Sequence, residues 1–335
     1  MSRVSVRILI TVSVALVAGC AKIPKAGAHL ARTGDEIVIA GQFFHTGTPV
    51  VLWLDPEGYD AYRVERRFAP LAQSDWKTSH EQNPELTSPN RYGQRREGLS
   101  DLQIEEMRGG GMDLVTLENL VDQFVIHYDV SGTSRQCFKV LHDARDLSVH
   151  FMLDLDGTIY QTLDLKERAW HATSSNSRSI GIEIANIGAY PPNSRAPLDR
   201  WYQADTNGAI FIEIPTEYQP SGLRTENFTP RPARALPVVG RIQGQQLLQY
   251  DFTPEQYAAL IKLTATLCSI FPNLPCEYPR DPAGGLISEK LPEEKLKNYR
   301  GLLGHYHIQS NKVDPGPAFQ WDEVITEARK LMHEK

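Results

Sequence analysis

From about Leu117 onward the chain repeats one arrangement: a short apolar run, then a polar turn or a stretch of helical spacing. "QFVIHYD" and "SIGIEIANIG" are apolar runs too short for ordinary helices and rich in β-branched and aromatic residues, so both read as strands. "SVHFMLDLDGTIYQTLD" reads as two strands joined at Asp156-Gly157, the strongest hairpin signal in the chain. Between them, "SGTSRQCFKVLHDAR" places Phe138 and Leu141 on one helical face. "TPEQYAALIKLTATLC" is the clearest helix, with Thr253 as N-cap, Pro254 at its first position and Gln256 completing a capping box. A last helix spans about Phe319 to Met332. Strands mixed with long helices predict an α/β fold: a mixed central sheet with helices packed on its faces.

Two regions stand outside this pattern. Before it, "DEIVIAGQFF" and "PVVLWLD" read as two strands joined by "HTGT", and residues 70–112 read as surface loop with one short helix around Asp101 to Arg108. Within it, residues 190–250 are rich in proline and polar residues and read as an insertion with some strand-like runs. The expected organisation is a leader over 1–20, a linker and N-terminal extension over 21–116, and a main domain over 117–335.

The leader follows from "MSRVSVRILITVSVALVAGC". Arg3 and Arg7 precede an apolar run from Ile8 to Val17 that is short for a membrane span, and small residues lead directly into Cys20. This resembles the lipobox of bacterial lipoproteins, which implies cleavage before Cys20 and its lipidation. Ala21 and Lys22 follow, with no Asp at that point, so the resemblance implies the periplasmic side of the outer membrane. That compartment is oxidising. Cys268 and Cys276 are therefore either a disulfide or two buried thiols, and Cys137 reads as a buried helix residue. No cysteine spacing resembles a zinc knuckle. A net charge of -6 gives no nucleic-acid footprint.

The chemistry gathers near the C-terminus. In "NKVDPGPAFQW", Pro315 restricts Asp314, and Gly316-Pro317 makes a tight turn, so one carboxylate is held in a fixed pose. His127 and His305 each close an apolar run. Alone, each of the three reads as structural. Together, two imidazoles and a carboxylate form a common catalytic zinc set with a position left for water. Glu183, inside the apolar "SIGIEIAN", is placed to be buried, which raises a carboxyl pKa and suits a general base. Lys312, two residues before Asp314, offers a cation to a developing oxyanion.

"VIHYDVSG", "LSVHFMLDLDGTIYQTLD", "AWHA", "SIGIEIAN" and "GLLGHYHIQSNKVDPGPAFQW", in this order, resemble the zinc-dependent N-acetylmuramoyl-L-alanine amidases of the amidase-2 family, whose fold is shared with peptidoglycan recognition proteins. The likeness runs from about Phe124 to the C-terminus, interrupted by the insertion. It implies that His127, His305 and Asp314 bind Zn2+, that Glu183 is the base or water-orienting carboxylate, and that Lys312 stabilises the tetrahedral intermediate. The gap between His305 and Asp314 is one residue shorter than the family pattern, which keeps His307 as an alternative ligand. By the same resemblance Trp170 and His171 line the substrate groove, and His150 packs near the sheet. The implied reaction is hydrolysis of the amide between N-acetylmuramic acid and L-alanine in peptidoglycan or muropeptides. The competing expectation is a module that grips peptidoglycan without cutting it.

Overall fold

Six strands form the central sheet, in the spatial order Gly301–Gly304, Gln123–Tyr128, Ser179–Ile184, Phe151–Leu153, Ile159–Gln161 and Val50–Leu52. The first four run parallel, Ile159–Gln161 turns back against Phe151–Leu153, and Val50–Leu52 runs parallel to it at the edge. The sheet is thus mixed, as the sequence predicts. The computed structural model describes residues 25–334. Residues from Thr33 onward form one compact unit, and residues 25–32, described by themselves, are irregular and largely exposed. Cys20 and the leader lie outside the described residues. Among the described residues, no helix is long and apolar enough to cross a membrane.

The period-2 geometry of strands gives the sheet two different faces. One carries Phe124, Ile126, Ile180, Ile182, Phe151 and Leu153, all buried against the helices Pro254–Ile270 and Trp321–His333. Pro254–Ile270 buries Tyr257, Leu260, Leu263 and Leu267 at helical spacing, and each such side chain stabilises by about 1.5–3 kcal/mol. Its start is fixed by the expected capping box. Thr253 Oγ1 accepts from the Gln256 N–H at 3.1 Å, and Gln256 Oε1 accepts from the Thr253 N–H at 2.9 Å. The opposite face is divided. Val51, Met152 and Tyr160 are covered by Cys137, Phe138 and Leu141, from the Ser134–Phe138 helix and the wider turn that continues it. Beside them, His127 and Glu183 face a cavity instead of a helix.

The N-terminal region differs from the reading of its sequence. "DEIVIAGQFF" is a hairpin, Glu36–Ile39 against Gln42–His45, because Ala40 and Gly41 both take positive φ (50° and 75°) and turn the chain in two residues. Val50–Leu52 then enters the central sheet, so the extension is built onto the same sheet as the rest of the unit. Buried polar side chains fasten it. Gln161 exchanges two hydrogen bonds with the Val38 backbone (2.8 and 2.7 Å), and the Asp164 carboxylate accepts from the N–H groups of Ala40 and Gly41. The stretch 70–112 carries more structure than a surface loop: helices Trp76–Gln82 and Asp101–Gly110, and a strand Tyr92–Gln94 paired with Glu167–Ala169. Arg95 is fully buried, donating to the carbonyls of Leu165, Ser177 and Ser179, and burial lowers its pKa to about 9.

The insertion forms two hairpins, Tyr202–Ala204 with Ile210–Ile212 and Val238–Ile242 with Gln245–Gln249. Cys268 and Cys276 are both buried, each with a free thiol. Cys137 is buried, as expected.

Candidate active site

Register assembles the site. His127 and Glu183 are direct partners across adjacent parallel strands, so their side chains leave the sheet on one face. The neighbouring strand ends at Gly304, opposite Ile126, and His305 follows in the same row as His127. The three groups therefore stand at the carboxyl ends of three parallel strands, where open α/β sheets place their ligand sites. The Asp314 loop closes over them. Its backbone is held from the insertion: Gln249 donates to the Pro315 carbonyl at 3.0 Å and accepts from the Ala318 N–H at 2.9 Å. A side chain at Gly316 has no room, since its Cβ would lie 2.1 Å from Gln249 Oε1.

Three donor atoms converge. His127 Nδ1 and His305 Nδ1 are 3.0 Å apart, and Asp314 Oδ2 lies 2.9 Å from the first and 3.0 Å from the second. The outer nitrogens are tied elsewhere. His305 Nε2 meets Gln309 Oε1 at 2.6 Å. His127 Nε2 meets His171 Nδ1 at 3.0 Å, and His171 Nε2 meets Ser179 Oγ at 3.3 Å. With the hydrogen on each outer Nε2 and donated outward, both Nδ1 lone pairs turn toward the carboxylate oxygen. Two lone pairs and an anionic oxygen pointing at one spot fit a cation, and the outward bonds are those that orient metal-binding histidines.

Electrostatics agree. Burial lowers the His127 pKa to about 4, with the neighbouring His305 adding to it, so the ring is neutral and able to ligate. Burial opposes ionisation of Asp314, but the two imidazoles outweigh it and hold this carboxyl well below the usual range. Glu183 is the reverse case. Burial, then the charges of Asp314 and Asp129, push its pKa well above the ordinary value, with Lys312 opposing. Its Oε2 is sealed from solvent and has no hydrogen-bond partner. A buried oxygen without a partner beside a convergent donor set is where a reacting water belongs.

These groups line a cavity of about 130 Å³ that also reaches Lys312, Trp170 and His171. All seven residues expected at a site are thus brought together. The alternative ligand is not among them. His307 Nδ1 accepts from the Gly304 N–H at 2.8 Å and Nε2 meets the Ile287 carbonyl at 2.6 Å, so both nitrogens are spent on the backbone. His150 is also structural, accepting from the Gly181 N–H at 3.1 Å beside the sheet. Gly181 is required for His171 to sit where it does, because a Cβ there would lie 2.5 Å from that ring.

Some contributors were not anticipated. Asp129 Oδ1 accepts from the N–H groups of Ser131, Gly132 and Asn186, shaping the loop after His127; "DVSG" is a legible signal for such a turn. Arg145 stands exposed on the cavity wall. Gln309 and Gln249 have no local signature, since their partners are distant in the fold.

The family described as N-acetylmuramoyl-L-alanine amidase matches residues 117–317. Among solved structures, a selenomethionine AmpD derivative is 16% identical with a TM-score of 0.31, covering 71% of this chain and 89% of that one. The E. coli amidase AmiD, in complex with anhydro-N-acetylmuramic acid-L-Ala-D-gamma-Glu-L-Lys, is 19% identical with a TM-score of 0.33, covering 62% of this chain and 57% of that one. The amidase LysC of Clostridium intestinale URNW is 16% identical with a TM-score of 0.32, covering 64% and 88%. Comparison with curated proteins gave no match.

Proposed function

The chain belongs to the N-acetylmuramoyl-L-alanine amidase family, and from that premise we propose that it works through a zinc ion held by His127, His305 and Asp314. As a member of that family it hydrolyses the amide joining N-acetylmuramic acid to L-alanine, adding water to yield the lactyl carboxylate and a free peptide amine. The observation that carries the metal reading is the meeting of His127 Nδ1, His305 Nδ1 and Asp314 Oδ2 within about 3 Å of one another. Zinc at that point would supply a water that ionises near pH 7 and a Lewis acid for the scissile carbonyl.

The protein's own groups do the rest. Glu183 takes the proton of the attacking water at its unpartnered Oε2 and returns it to the leaving amine. Lys312, on the wall of the same cavity, faces the negative charge that builds on the carbonyl oxygen. His171 and Gln309 hold the two imidazoles in their ligating tautomers. Trp170 packs along the cavity as a wall for the substrate.

The substrate is peptidoglycan or a muropeptide released from it. We place the protein on the periplasmic side of the outer membrane, anchored by lipid on Cys20; this rests on the "VAGC" leader. Incorporation of a labelled fatty acid, lost in Cys20→Ala, tests the anchor. For the reaction, protein lacking residues 1–20 is assayed for bound zinc and incubated with muropeptides under mass spectrometry. Near-stoichiometric zinc and chelator-sensitive release of free stem peptide are expected. Zinc without cleavage would leave a binding module, and no zinc would refute the metal assignment.

A further inference from the structure

We propose that the insertion builds a sugar subsite beside the catalytic cavity, a cleft of about 420 Å³ lined by Tyr190, Trp201 and Tyr218 that takes the ring next to the muramic acid along the glycan strand. This inference rests on the amidase reading, and it concerns residues that the catalytic centre does not use.

Continuity is the first argument. Val130 and Ser131 line both the catalytic cavity and the aromatic cleft, so the two hollows meet at the loop that follows His127. That loop is strained. Val130 is β-branched and exposed, yet sits at φ 54°, a backbone state such residues rarely adopt. Strain of this kind persists when its surroundings fix it, and it gathers at sites that bind ligands. Here the fixing groups are identifiable. The Asp129 carboxylate holds the N–H groups of Ser131 and Gly132, and the insertion's Trp201 lies so close to Gly132 that a Cβ would meet its ring at 2.4 Å. The insertion is therefore fitted directly to the loop that carries the metal-site strand forward.

Composition of the cleft is the second argument. Tyr218 packs on Trp201 with ring centroids 5.3 Å apart, and Tyr190 is pinned by its hydroxyl to the Ile187 carbonyl at 3.1 Å. Both tyrosines are half-buried and line the cleft, with the Arg200 guanidinium over the Tyr218 ring at 5.9 Å from its centroid. The charge at its rim is cancelled, because Arg200 is ion-paired with Glu217. An aromatic, electrically balanced cleft suits a neutral hexopyranose, whose C–H face packs on rings while its hydroxyls bond to polar edges. A stem peptide carries carboxylates and is drawn elsewhere, toward the exposed Arg145 on the catalytic cavity's wall. Peptidoglycan branches at the muramic acid in these two directions, and the two hollows divide them.

The test compares two substrates: a muramyl peptide, and the same compound with its neighbouring N-acetylglucosamine. Tyr218→Ala is expected to lower kcat/KM on the disaccharide-peptide about five- to tenfold, through KM, and to leave the muramyl peptide within twofold. Tyr190→Ala is expected to behave alike. Equal losses on both substrates, or no loss on either, would overturn the assignment. Calorimetry with the peptide-free disaccharide reads the cleft without turnover. Binding by the native protein that weakens in Tyr218→Ala supports it, and no binding in the millimolar range overturns it. Disaccharide binding in a protein that cleaves no muropeptide would count against the amidase reading and leave the cleft standing.

Discussion

Replacing Glu183 with glutamine separates function from stability in opposite directions. The side chain keeps its size, but a group that must accept a proton can no longer do so. Loss of a positioned general base costs on the order of 10²–10⁴ in turnover, and zinc content should not change, because Glu183 is not among the converging donors. Stability should move the other way. Glu183 Oε2 is buried without a partner, and burial together with Asp314 and Asp129 raises the pKa of this group. Its folded pKa lies above the unfolded value of about 4.3. The folded protein therefore retains a proton that the unfolded chain gives up, and native stability falls as pH rises through that window. A neutral amide avoids the cost. Glu183→Gln should be more stable than the native protein at pH 8 by about 1–3 kcal/mol, with the difference closing toward pH 4. A bound cation beside the carboxylate offsets part of the same cost, so the gain should be larger in chelator-treated protein. The assay is urea unfolding at pH 4, 6 and 8, with and without chelator, alongside muropeptide hydrolysis. Activity within threefold of native, or a variant no more stable at pH 8 than at pH 4 relative to native, would refute the reasoning.

Other outcomes follow from the same geometry. His305→Ala should lose zinc, whereas His307→Asn should keep it and lose about 1–3 kcal/mol of stability, because His307 bonds only to backbone; metal analysis with thermal unfolding distinguishes them. Gln309→Leu removes the outward partner of His305 Nε2 and should weaken zinc binding about 10- to 100-fold by competition with a chelator. Asp154 is buried, its Oδ2 lacks a partner, and burial raises its pKa to about 8. The folded state thus holds a proton that the unfolded chain loses above about pH 4, so stability declines as pH rises toward 8. Asp154→Asn should remove that decline, gaining at least about 2 kcal/mol over native between pH 4 and pH 8 in urea unfolding.

From Leu117 onward the ordered apolar runs determined the main strands and helices. That His127, His305, Glu183 and the Asp314 loop gather at one place was also legible, because each sits at a strand end or in a proline-stiffened turn whose local pattern is unusual. Capping is a local matter as well, and Thr253 and Gln256 formed the box their spacing implies. The choice between His305 and His307 was not local. Two residues apart, they differ only in what surrounds them, and the tertiary structure spends both nitrogens of His307 on carbonyl and amide groups of the backbone. Tertiary pairing also decided the role of the flanking regions. Val50–Leu52 is a short apolar strand whose partner lies more than a hundred residues away, and the turn at Ala40-Gly41 has the usual glycine but an alanine where Asn, Asp or Gly is expected before it. The insertion read as polar and irregular, yet its Gln249 fixes the Asp314 loop and its Trp201 fixes the loop after His127. Sequence pattern reports the face a residue presents. Which distant group fills the space in front of that face depends on how the chain closes on itself.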